Sequence, residues 1–140
     1  MGPLRPAADE YVSYSVMGYA EEAHKVLAGL KSGRDSTVLY GILGLVLGLA
    51  EAVAVHRRVL VESDNSYFDQ VQEAAGDNSE WSRQFRQAAG FDPGAVRARG
   101  LAALRLYEDT VGLARPVLRE QDAEVVDHAL AAIRRSRLVD

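Results

Sequence analysis

Side chains with usable chemistry crowd into one short stretch of the sequence: Glu51, His56, Arg57, Arg58, Glu62, Asp64 and Tyr67. A carboxylate accepts from a hydroxyl or an amine, an imidazole moves a proton near neutral pH, and a guanidinium holds an anion. Placed at a helix end and in the loop after it, such groups suit a binding site carried on a rigid scaffold. The same groups are equally ordinary as a solvated helix end, and His56 alone reads as a surface or pairing histidine. The candidate substrate-binding set is Tyr14, Tyr40, Glu51, His56, Arg58, Glu62, Asp64 and Tyr67. Within it, Glu51 and Glu62 are the candidates for a catalytic carboxylate.

Gly41, Gly44 and Gly48 precede this stretch at a spacing that puts them on one helix face, and Glu51 continues that face. A glycine inside a helix costs roughly 0.5–1 kcal/mol against alanine, so three in a stripe imply a close neighbour. That neighbour is another helix of the chain, a second copy of it, or a flat ligand in a shallow groove ending at Glu51. Small residues commonly let helices approach, which favours packing. A buried Glu51 needs a partner, and Arg58, two turns on, is a candidate. Tyr11, Tyr14 and Gly18 make a second stripe, either core or the opposite wall of that groove.

Searches for complete catalytic signatures return nothing. The sequence has no G-x-x-x-x-G-K-[ST] phosphate loop, no G-x-G-x-x-G, no H-E-x-x-H and no G-x-S-x-G. No Gly-Ser element is followed by the Asp-x-Asp pair with which nucleotidyltransferases hold nucleotide and metal. No Arg stands where the Arg-x4-6-His signature of helical HEPN ribonucleases would need it. Cysteine is absent, and His24, His56 and His128 lack the spacing of a metal site.

Composition narrows the class further. The 140 residues, 48% apolar and 26% charged, are those of one globular domain spanning 1–140. A net charge of −4 argues against a nucleic-acid module, which would concentrate Lys and Arg. The basic cluster Arg134, Arg135 and Arg137 suits a helix C-terminus. The opening residues lack the apolar centre of a signal peptide, so a cytoplasmic location is expected. From Val38 to Val55 the only charge is Glu51, about the length of a short membrane span. Glu51 itself, the Arg57-Arg58 pair and the want of a second apolar segment favour a buried bundle helix over a span.

Helical spacing recurs along the chain and strand-like alternation does not. A first helix is predicted from Ala7 to Lys31, with Val12, Val16, Tyr19, Ala20, Ala23, Leu27 and Leu30 inward and Gly33 as its stop. A second runs from Asp35 or Ser36 to Val61. Short helices follow over Tyr67–Ala75 and from Ser79, the latter with Trp81 and Phe85 on its apolar face. Asp92 and Pro93 read as N-cap and first turn of a helix reaching Leu118, ended by Pro116. Asp122 reads as the cap of the last helix, whose inner stripe is Val125, Val126, Ala129, Leu130 and Ile133. The expected fold is all-α: a four-helix bundle with one or two short helices between the second and third long ones.

Two stretches carry a resemblance: LYGILGLVLGLAEAVAVHRRVLVESDNSYFDQV, from Leu39 to Val71, and RARGLAALRLYEDTVGLARPVLREQDAEVV, from Arg97 to Val126. Together they resemble the C-terminal helical, HEPN-like domain of small bacterial nucleotidyltransferases of the kanamycin/lincosamide/aminoglycoside-modifying type. The likeness covers about two thirds of the chain by eye, and rests on pattern and phrases such as GLAALRLYEDTV. It implies a domain that packs against a catalytic partner and completes the pocket for a hydroxylated acceptor. It also implies that nucleotide and Mg²⁺ come only with that partner, and it sets Glu51, His56, Glu62, Asp64 and Tyr67 nearest the pocket. The alternative is a non-enzymatic interaction module, a homodimer built on Gly41, Gly44 and Gly48.

Overall fold

The computed structural model describes residues 4–60 and 64–139, with side chains from Pro6 to Leu60 and from Asn65 to Val139. Its helices are α1 (Leu4–Gly18), α2 (Ala20–Ser32), α3 (Asp35–His56), α4 (Tyr67–Ala75), α5 (Glu80–Ala89), α6 (Val96–Ala114) and α7 (Glu120–Ser136). Single 3-10 turns precede α4 and follow α6, and no strand occurs among the described residues. The fold is all-α.

The centre is α3, the most apolar helix, which packs on α1, α2 and α6. It is long and apolar enough to cross a membrane, and 61% of its most apolar window is buried inside the fold. Ile42, Leu45, Leu49 and Val53 face inward without exposure or nearly so. Helix α7 lies across α1 and α2, while α5 pairs with α6. The apolar face of α5 is as expected. Trp81 and Phe85 stack with centroids 5.1 Å apart, and the indole N–H donates to Thr110 Oγ1 at 2.8 Å.

The first predicted helix is in fact two. The break falls at Tyr19, at φ −75° and ψ −5°, which keeps a right-handed helical backbone just after Gly18, a weak helix former. In the last turn of α1, the carbonyl of Val16 accepts from the buried phenol of Tyr107 at 3.0 Å. A helix end inside a core needs such a partner for its carbonyls. Gly33 closes α2 in the left-handed region at φ 68°, as its position implied.

The end of α3 also differs, at His56 and not Val61. Arg58 takes φ 56°, and the amides of Arg58 and Val59 turn back to Val55 O and Ala54 O. This is a Schellman closure with arginine where glycine is usual. Two predicted caps fall to other residues. Ala95, not Asp92, precedes α6, because Pro93 and Gly94 stay in the loop. Arg119 precedes α7, while Asp122 is buried one turn inside and accepts from Ser13 Oγ at 2.8 Å and Arg119 Nε at 2.9 Å. Asp122 therefore ties α7 to α1 instead of capping. Val125 is exposed, so the inner stripe of α7 is Val126, Ala129 and Ile133 with Leu130 beside it.

Candidate functional site

The glycine stripe of α3 is filled from within the chain. Val26 sits over Gly41, the side chain of Glu22 over Gly44, and the ring of Tyr19 over Gly48. Each glycine is a notch into which one side chain from the α1–α2 run inserts. The groups that lie over these three glycines are residues of the α1–α2 run of the same chain.

Glu51 lies one turn beyond Gly48, exposed at the seam of α1 and α3. Its Oε1 accepts a hydrogen bond from the phenol of Tyr11. Among the described residues it makes no ion pair with Arg58, which is exposed and turned by its left-handed backbone. The bond to Glu51 is the main reason the Tyr11 phenol is held above its ordinary value of 10.0, with burial and the carboxylate charge adding to it. Tyr19 and Tyr67 are raised too, first by burial and then by the charge of Glu51. The charge of Glu22 raises Tyr19 as well. One oxygen of Glu22 is buried without a hydrogen-bond partner, while the other faces Lys25 Nζ at 3.4 Å.

The candidate site is thus the Glu51 carboxylate with the Tyr11 phenol of α1 bonded to it, and with Tyr19 at the α1–α2 junction and Tyr67 of α4 near enough to feel its charge. It brings together Glu51 and Tyr67 from the predicted set. Tyr14, 61% exposed on α1, makes no contact with this carboxylate. Tyr40 is 68% exposed beneath Lys25, with the ammonium 5.6 Å from its ring centroid. His56 faces a tight crevice with Val12, Val53 and Thr110, on another side of α3. Glu62 lies outside the described residues; Asp64 opens a 3-10 turn, and its side chain lies outside them.

Tyr11 and Tyr19 were missing from the predicted set. The signal was present: Tyr11, Ser15 and Tyr19 recur at i, i+4 and i+8, the face beside Val12 and Val16. Among the described residues no three His, Asp or Glu side chains are placed to hold a metal. The arrangement can accept from a hydroxyl or ammonium at Glu51 and offer phenol donors and π faces around it. Compared with protein-family models, curated proteins and solved structures, the chain finds no match.

Proposed function

We propose that this chain is a helical substrate-binding module, holding a small molecule rich in hydroxyls and amines at Glu51 for a catalytic partner to act on. The observation that carries the reading is the exposed Glu51 carboxylate, which accepts from Tyr11 and whose charge reaches Tyr19 and Tyr67. A carboxylate set among aromatic rings favours an ammonium by charge and by the negative faces of the rings. The resemblance to nucleotidyltransferase helical domains supplies the acceptor class, an aminoglycoside-like compound, and the partner, a separate catalytic domain. That partner would bring the nucleotide and Mg²⁺. Glu51 then orients an acceptor hydroxyl by accepting from it, and the phenols restrict how the ring system lies. A cytoplasmic, bacterial setting belongs to the same reading.

Calorimetric titration with kanamycin tests the reading. Glu51→Gln keeps the shape and removes the charge, and is expected to weaken binding at least tenfold, with Tyr11→Phe severalfold. A folded Glu51→Gln protein with unchanged affinity removes the assigned role.

A second reading, a homodimerising interaction module, is supported by another face of α3. Tyr40, Leu43 and Leu47 follow at i, i+3 and i+7 and are exposed by 68%, 60% and 58%. An exposed apolar stripe along one helix face can seat a partner helix. Sedimentation equilibrium of the chain and of Leu43→Glu distinguishes the readings: a dimer split by that change supports this one, and a wild-type monomer at high concentration removes it.

A further inference from the structure

His24 and His128 lie far apart in the sequence, and the fold brings them together where α7 packs on α2. Their ring centroids are 5.7 Å apart, with the planes tilted by 48°. His24 is half-buried on α2, and His128 is exposed on α7. An imidazole fixed by a fold commonly gives its N–H to a carboxylate or a backbone carbonyl. Here the group beside each ring is the other imidazole.

Such a pair suits a metal ion better than it suits protons. Two imidazolium groups side by side repel, and burial and His128 together lower His24, with no carboxylate acting on it. A neutral imidazole keeps a nitrogen lone pair for a metal. Ions of the zinc and copper type take that nitrogen at about 2.0–2.1 Å, so one ion shared by two rings sets their centroids about 5–6 Å apart. The observed separation falls in this range without any movement of the helices. Rotation about the last side-chain torsion, which is broad for histidine, turns a nitrogen of each ring to the ion. No third His, Asp or Glu joins the pair among the described residues, so water completes the coordination on the exposed side of His128.

We propose that His24 and His128 form a two-imidazole site for a divalent transition-metal ion, which clips the middle of α7 to α2. The order of affinities for nitrogen ligands places Cu²⁺ above Zn²⁺ here, and Mg²⁺, which prefers oxygen, is not bound. The unfolded chain does not hold the two rings together, so the ion stabilises the folded one. The site does not depend on the reading given to Glu51.

The test is a titration of the chain with Zn²⁺, which is diamagnetic, following the histidine ring protons by NMR. The signals of His24 and His128 are expected to shift together and saturate at one ion per chain, while those of His56 stay in place. Zn²⁺ is expected to raise the melting temperature, with EDTA reversing the rise and Mg²⁺ giving none. Calorimetric titration should find Cu²⁺ bound at least tenfold more tightly than Zn²⁺. His24→Gln and His128→Gln should each weaken Zn²⁺ binding at least tenfold and remove the thermal gain. The exposed position of His128 keeps the test decisive should His24→Gln fail to fold. Movement of one ring without the other, no gain in melting temperature, or full affinity in either variant would overturn the proposal.

Discussion

The ring of Tyr19 occupies the space that a β-carbon on Gly48 would need. One contact thus accounts for two oddities of the sequence: a glycine in the middle of the most apolar helix, and an aromatic residue at the break between α1 and α2. It also sets Tyr19 next to the helical turn that ends in Glu51.

Gly48→Ala should therefore lower stability by about 1–3 kcal/mol, because the overpacking outweighs the gain in helix propensity. Gly112 is exposed in α6 with nothing within 4 Å, so Gly112→Ala should raise stability by about 0.5–1 kcal/mol. Urea unfolding of both variants checks this. A Gly48→Ala protein as stable as the parent would mean that Tyr19 moves aside freely.

Asp122 is 4% exposed and joins Ser13 on α1 to the start of α7, with Ser13 Oγ also accepting from the Arg119 amide at 2.8 Å. Asp122→Ala is expected to cost about 2–3 kcal/mol, since it removes a buried acceptor from two donors. Ser13→Ala should cost less, about 1 kcal/mol. Unfolding midpoints within error of the parent for Asp122→Ala would show that the first turn of α7 is held by apolar contacts alone.

Burial first, and neighbouring His128 second, lower His24 below its ordinary value of 6.5; the two rings are 5.7 Å apart. The folded chain then refuses a proton that the unfolded chain accepts, so stability falls as pH drops through 6.5 and levels off below the folded value. Melting temperatures measured from about pH 8 to about pH 4 should show that step, and His24→Gln should shrink it. A step of equal size in the variant would assign it to other groups.

Much of the fold was legible because apolar spacing and turn residues act locally. Gly33, Ser79 and the Trp81–Phe85 face are set by their own neighbours, and the structure has them as read. The break at Tyr19 was not legible, and the partner of the Val16 carbonyl beside it, Tyr107, comes from far along the chain. Asp122 looked like a cap because its type fits one; its burial against Ser13 is tertiary and leaves no local trace. The site was half legible. Glu51 stood out as the one charge in an apolar run, but its partner had to come from another helix, and nearby Arg58 was the wrong choice for a backbone reason.

The most direct measurement uses tyrosine labelled with ¹³C at Cζ, which reports all six phenols of the chain separately. On titration with kanamycin, Tyr11, Tyr19 and Tyr67 should shift together along one saturation curve, while buried Tyr107 and distant Tyr40 stay in place. In Glu51→Gln the same shifts should need at least tenfold more ligand. Signals of Tyr11, Tyr19 and Tyr67 that ignore the ligand, or that follow it equally well without the Glu51 carboxylate, would contradict the assignment of this seam as the binding site.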